Sequence, residues 1–418
     1  MSAPLLSGRA MLACALALCC AGCSGLQAGH AGGPHRWRTG TPAASPVAAP
    51  ITMLMADPLA DLGVRVPASA PDPYRLVQDE LDFIKKSIKT MLKANSGATG
   101  AISSNGVLTM AAREFMNRKG KSFRPMLALL IGRATSRDFT TDGRHSKLAV
   151  ISEMIHTASL IHSDVLEEDE ADTSQGTLVH QEVALEVGNK VCILAGDFLL
   201  AKAAVELSLL ESGDVTEIVA QGLESICEGG MRAYNSTAEP ETLHTLSLDG
   251  HLATVRSSIG ALIANVCQCS AILSGHEKDS VVAQACSLYG ENLAMARHLV
   301  GEAEEIDAAL RKSRRNPKSL PSHLPRGVHG VARAPLLIAA EAHPEVRQVL
   351  AGAASGEDAP AACAELVEAS DAVAATRRLA GEYAKTAAEV IEALPPSATR
   401  DALVLLCHKV VTGAPIKS

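Results

Sequence analysis

The sequence predicts an all-α protein, and three features lead to that expectation. Hydrophobic residues make up 47% of the 418 positions and are mostly Ala, Leu and Val, whereas aromatics reach only 2%. Short aliphatic side chains suit helix interiors, and the aromatics that fill strands are nearly absent. Apolar residues recur at three-to-four spacing in segment after segment, while strand-like alternation never survives beyond a few residues. No repeat of fixed period is visible.

Residues 1–56 read as a leader, because they contain no Asp or Glu, carry Arg9, Arg36 and Arg38, and are rich in Ala, Gly, Ser and Pro. That composition predicts an organelle transit peptide, for a mitochondrion or a plastid. The run "AMLACALALCCAGCSG" also resembles a secretory or lipoprotein signal, but the acid-free stretch continues well past it. Residues 57–71 form a Pro/Ala linker, residues 72–413 a single helical domain, and residues 414–418 a tail.

The first predicted helix, "YRLVQDELDFIKKSIKTML", places Leu76, Leu81, Ile84, Ile88 and Leu92 near one face. After a Gly/Ser/Asn turn, "VLTMAAREFMNRKGKSFRPMLALLIGRA" carries a basic Gly loop, with Pro125 suited to the first turn of the next helix. "SKLAVISEMIHTASLIHSDVLEE" runs directly into an acidic knot. Long apolar-periodic helices follow in "EVALEVGNKVCILAGDFLLAKAAVELSLL", "VTEIVAQGLESICEGGMRAYN", "HLATVRSSIGALIANVCQCSAILSG" and "DSVVAQACSLYGENLAMARHLVGEAEEIDAAL". "GVARAPLLIAAEA", "DAVAATRRLAGEYAKTAAEVIEAL" and "ATRDALVLLCHKVV" complete the set. "RKSRRNPKSLPSHLPRG" reads as a basic, Pro-rich surface loop and "GEDAPAACAE" as a short acidic turn.

A net charge of −8 with no basic face argues against a nucleic-acid partner. No run of 18 or more apolar residues follows the N-terminus, so no transmembrane span is expected. Cys14, Cys19, Cys20 and Cys23 lie in the leader. The remaining cysteines sit in apolar helical surroundings without CxxC or Cys/His spacing, which predicts small buried hydrophobes rather than a zinc site.

Chemistry concentrates at two places. In "HTASLIHSDVLEEDEADTSQG", Asp164 shares a helix face with Glu167 and Glu168, three and four positions on. Such carboxylates repel unless a cation lies between them, so the knot is either a solvated acidic helix end or a face for Mg²⁺-bound diphosphate. In "KGKSFRP", Lys119, Lys121 and Arg124 precede a helix N-terminus and suit an anion. It is not a nucleotide P-loop, since the required upstream Gly is absent and no strand precedes it.

The order "GKSFRP", "IHTASLIHSDVLEE…ADT", "GNKVCILAGDFLLAKA", "ALIANVCQCSAILSG", "YGENLAMARHLV", "GVARAPLLIA", "SDAVAATRRLA" resembles the trans-polyprenyl diphosphate synthases. The resemblance spans roughly residues 72–412 and is to the long-chain solanesyl/decaprenyl type, which supplies quinone side chains. It implies an isoprenoid synthase-type orthogonal helical bundle. In that family, two Asp-rich motifs on facing helices hold Mg²⁺ ions around an allylic diphosphate, and a basic loop and a histidine hold isopentenyl diphosphate. A tunnel accepts the growing chain. The resemblance assigns Lys121, Arg124 and His156 to substrate diphosphate, and Asp164, Glu167, Glu168, Glu302 and Glu305 to residual metal binding. The small Ala158 and Ser159 stand where bulky residues would close the tunnel.

This sequence departs from the pattern at several points. Ser122 replaces an arginine in the basic loop. Ser163-Asp164-Val165-Leu166-Glu167 stands for Asp-Asp-x-x-Asp, two residues are inserted before Ala171-Asp172-Thr173, and Ser174-Gln175 replaces two arginines. A Lys-Thr pair is Ser258-Ile259, a Phe-Gln pair is Arg297-His298, and the second Asp-rich motif is Gly301-Glu302-Ala303-Glu304-Glu305. Scaffold kept and chemistry altered is what a partner subunit shows. The sequence therefore predicts a weak or non-catalytic chain paired with an intact synthase subunit, or with itself. The alternative is an active synthase that condenses isopentenyl and allylic diphosphates with Mg²⁺.

Overall fold

The computed structural model describes residues 63–92, 106–117, 122–136, 143–163, 188–237, 247–314, 333–350 and 359–414, and these are helical with short connections. The helices are α1 (Pro73–Leu76), α2 (Gln78–Met91), α3 (Gly106–Asn117), α4 (Phe123–Thr135) and α5 (Arg144–Ser163). They continue with α6 (Asn189–Ser208), α7 (Gly213–Thr237), α8 (Leu248–Val255), α9 (Ala261–Leu273) and α10 (Val281–Ser313). The last are α11 (Ala334–Ala342), α12 (Glu345–Leu350), α13 (Ala359–Ala369), α14 (Ala372–Val390) and α15 (Ala398–Thr412).

The core is built around α9, which packs against α4, α5, α7 and α10. Its side chains are almost all buried, from Leu262 to Leu273, as expected of a helix apolar on every face. Two features bring the neighbours close. Gly290 on α10 lies so near α9 that a Cβ there would stand 2.7 Å from the Ile263 carbonyl oxygen and 2.8 Å from Cys267 Sγ. Ser270 Oγ donates to the Ala128 carbonyl of α4 at 2.5 Å, and His145 of α5 bonds the Ser270 carbonyl at 3.0 Å. The 33-residue α10 runs about 50 Å at 1.5 Å per residue. It packs along α14 and α9, and the buried Tyr289 hydroxyl donates to the Leu403 carbonyl of α15 at 2.9 Å.

Leu248–Leu273 is long and apolar enough to cross a membrane, but 67% of its most apolar window is buried in the bundle, as in a core helix. Between α8 and α9 it passes through one turn of π-helix, Arg256–Gly260. There Ser258 Oγ donates to the Thr254 carbonyl at 2.8 Å and competes for the backbone ladder.

Three segments differ from the sequence reading. The first helix is broken at Val77, whose φ of −129° and ψ of 20° leave the helical range. Arg133 of α4 donates to the Leu76 carbonyl and pairs with Glu80, so the break is held by a tertiary contact invisible in the local pattern. The acidic turn "GEDAPAACAE" is overlaid by α13 from Ala359 onward. Its Pro360 falls at the second helical position, where a missing N–H costs little, and alanines carry the helix on. The short α12 was not anticipated.

Seven described cysteines are free thiols, all but Cys227 buried, in line with their reading as packing residues. Burial pushes Cys286 and Cys407 up to about 12. The leader, most of the linker and the tail beyond Ala414 fall outside the described residues.

Candidate functional site: two polar clusters on α10

Polar side chains gather at two places along α10. The first joins Tyr74 of α1, Phe123 and Arg124 of α4, Glu153 and His156 of α5, and Arg297 of α10. Ser122, at φ 45°, turns the chain into α4 and sets Arg124 in its first turn. The Arg297 guanidinium lies over the Phe123 ring, 4.1 Å from its centroid. Arg124 Nε and Arg297 Nη1 are buried and make no hydrogen bond, nor does the buried Tyr74 hydroxyl. An unmet buried donor costs about 1–3 kcal/mol, so the pair of guanidiniums is held at a cost to stability.

The charges of this cluster act on one another. Burial brings Arg124 down to about 10, with Glu153 opposing the shift and Arg297 adding to it. Burial raises the Glu153 carboxyl, against the pull of Arg124 and Arg297. Burial, then the positive charges of Arg124 and Arg297, hold His156 well below the usual imidazole range, so it is neutral at pH 7. The cluster thus offers two guanidiniums against one carboxylate whose own ionisation is opposed, with bare N–H donors. Its unmet need is an anion.

The second cluster starts at the next residue of α10 and extends about two turns further along it. His298 and Glu302 stand one turn apart, with His298 Nε2 3.1 Å from Glu302 Oε1. His251 of α8 approaches the same oxygen at 3.0 Å and Oε2 at 3.2 Å. The backbone N–H of Ala334, at the start of α11, donates to Oε2 at 2.9 Å. Burial opposes ionisation of Glu302, but the hydrogen bonds from His251 and His298 outweigh it and hold the carboxyl well below the usual range. Glu305, one turn on, accepts from Arg333 Nε at 3.3 Å.

An apolar pocket lies between α5, α7 and α9, lined in part by Ile151, Ile155, Val219, Leu223, Leu262 and Val266. It sits on the buried side of α5, two turns and more before Ser163. Ala158 is buried and Ser159 half-buried between that pocket and the helix end.

Of the residues singled out in the sequence, Arg124 and His156 are brought together. Glu302 and Glu305 share one face of α10, each already engaged by an internal donor. Lys121, Asp164, Glu167 and Glu168 lie outside the described residues. Seven participants were missed as such. Arg297 and His298 stood out only as departures from a pattern, and Tyr74, Phe123, Glu153, His251 and Arg333 not at all. The four-residue spacing of His298 and Glu302 was the one signal that could have paired them.

The family model described as Polyprenyl synthetase matches residues 105–299. A decaprenyl-diphosphate synthase of Dictyostelium discoideum is 33% identical over 369 residues, covering 85% of this chain and 74% of that one. The chain belongs to the polyprenyl synthetase family. A second relative, solanesyl-diphosphate synthase 1, mitochondrial, of Oryza sativa subsp. japonica, is 32% identical and covers 82% of this chain and 78% of its own length. Among solved structures, the apo form of an Arabidopsis medium/long-chain length prenyl pyrophosphate synthase superposes with a TM-score of 0.60 at 28% identity, covering 82% of this chain and 99% of that one. The architecture is the all-α isoprenoid synthase fold, as the resemblance implied. In this polyprenyl synthetase family member, both clusters draw on α10, which carries Arg297, His298, Glu302 and Glu305.

The second motif does not fit Mg²⁺. That ion takes a near-octahedral set of oxygens and keeps several waters. Here Glu302 Oε1 faces two imidazole nitrogens, Oε2 holds a backbone N–H, and Glu305 faces an arginine.

Proposed function

We propose that this chain is a weak or non-catalytic subunit of a heteromeric trans-prenyltransferase that makes quinone side chains. The observation that carries the proposal is the state of Glu302 and Glu305. Glu302 and Glu305, at the Asp positions of the second motif, are engaged by internal donors, His251, His298 and the Ala334 N–H for one, Arg333 for the other. Electrostatic stabilisation of a leaving diphosphate needs groups arranged in advance to receive it, and these are arranged for one another.

What the chain keeps is a place for a diphosphate. Arg124, Arg297 and His156 suit isopentenyl diphosphate, and the sequence adds Lys121 as a further cation beside them. Arg297 supplies a cation where the sequence lost others. The leader and the mitochondrial label on the Oryza relative support an organellar location, mitochondrion or plastid. The alternative, an active homodimeric synthase using Mg²⁺ at Asp164, Glu167, Glu168, Glu302 and Glu305, requires His251 and His298 to surrender Glu302.

Co-expression with an intact long-chain synthase from the same genome tests the proposal. The two chains are expected to co-purify as a heteromer whose activity or product length differs from that of the intact synthase alone. Failure to co-purify, or a mixture that behaves as the intact synthase alone, overturns it.

A further inference from the structure

We infer that His251, His298 and Glu302 form a binding site for one divalent cation of the zinc class, in place of the family's magnesium. The three ligand atoms, two imidazole nitrogens and a carboxylate oxygen, lie within 4.8 Å of one another. The edges His251 Nε2–Oε1 and His298 Nε2–Oε1 measure 3.0 and 3.1 Å. A tetrahedral ion bound at about 2.0–2.1 Å spans ligand edges of roughly 3.3 Å, so a few tenths of an ångström open the site. Two imidazoles and one carboxylate are the ligand types of Zn²⁺ or Co²⁺ rather than of Mg²⁺.

The surroundings fit the same role. The Ala334 N–H holds Glu302 Oε2 at 2.9 Å and leaves Oε1 as the converging oxygen. A hydrogen bond to the non-ligating oxygen fixes how a ligating carboxylate is presented. The ligands come from α8 and α10, so an ion would join two helices whose ligands His251 and Glu302 stand 51 residues apart in sequence. His251 and Glu302 are nearly inaccessible at 2% and 3%, whereas the His298 side chain is 18% exposed and marks the side open to solvent and a fourth ligand. The inference stands apart from whether the chain turns over substrate.

The test uses the full chain without a polyhistidine tag, stripped with chelator and titrated with Zn²⁺ or Co²⁺ under excess Mg²⁺. The expected result is about one ion per chain, with His298→Ala and Glu302→Gln each binding it more than about 100-fold more weakly. Co²⁺ is expected to give the strong visible absorption of a tetrahedral site. Equal binding by the variants, as adventitious thiol ligation would give, or no binding by the unmodified chain, overturns the inference. Circular dichroism reports whether the variants fold. If they do not, X-ray absorption of the unmodified Co²⁺ chain decides, with two imidazoles and a carboxylate required and sulfur or an all-water shell contradicting.

Discussion

Replacing Arg297 with Met separates binding from stability. Arg297→Met keeps an unbranched apolar stem and removes the guanidinium. On the folded side it forfeits the contact with the Phe123 ring, worth about 0.5–2 kcal/mol. It also removes a buried Nη1 donor that makes no hydrogen bond, a relief of about 1–3 kcal/mol, and the repulsion from Arg124, which the lost attraction to Glu153 offsets. The terms nearly cancel, so urea unfolding should show stability within about 1 kcal/mol of the parent, or slightly above it. Binding should respond very differently. A charge-assisted hydrogen bond to phosphate oxygen contributes about 1.5–3 kcal/mol, which corresponds to a roughly 10- to 100-fold loss of affinity. Isothermal titration with isopentenyl diphosphate and with inorganic diphosphate measures it. A variant that is destabilised by more than about 2 kcal/mol yet binds diphosphate normally would show Arg297 to be structural and refute the anion-site reasoning.

Three other outcomes follow from the same geometry. His156 is held neutral by burial and two arginines, and a bound diphosphate offsets that positive field and raises its pKa; binding therefore takes up a proton. Between pH 8 and 6 the parent's diphosphate affinity should gain relative to that of His156→Gln, and parallel pH profiles would contradict the placement. The Glu302 carboxyl lies below its usual range, so its stabilisation is complete above about pH 5 and is lost as pH falls through its lowered folded-state pKa. In acid denaturation the parent should lose stability more steeply than Glu302→Gln over that window. Gly290→Ala should cost about 1–3 kcal/mol in urea melts, because its Cβ meets the Ile263 carbonyl, whereas Gly301→Ala, with open space around it, should gain about 0.5–1 kcal/mol.

The fold was legible because burial leaves a strong periodic mark. Segments such as "ALIANVCQCSAIL" are apolar all round and became α9 at the centre of the bundle. The break at Val77 left no such mark, since it depends on Arg133, more than fifty residues away, donating to the Leu76 carbonyl. The misread "GEDAPAACAE" shows a different limit: Gly, Asp and Pro signal a turn, but Pro at the second position of a helix is as well tolerated as in a turn. At the site, Arg124 was singled out from the basic loop before a helix N-terminus, and His156 and Glu302 only through the family resemblance. Their partners were not. Arg297 and His298 looked like losses, because one sequence shows which residue is absent and not what the replacement touches. His251 could be joined to Glu302 only by the packing of α8 beside α10.

The most direct measurement of the central proposal is Mg²⁺-dependent diphosphate release by the purified chain alone, with isopentenyl diphosphate and an allylic primer, beside an intact long-chain synthase. If Glu302 and Glu305 are engaged internally as the structure has them, release should fall at least about 1,000-fold below the intact enzyme, while the chain still binds isopentenyl diphosphate. Turnover within about tenfold of the intact enzyme would contradict the non-catalytic reading and make this chain a synthase in its own right.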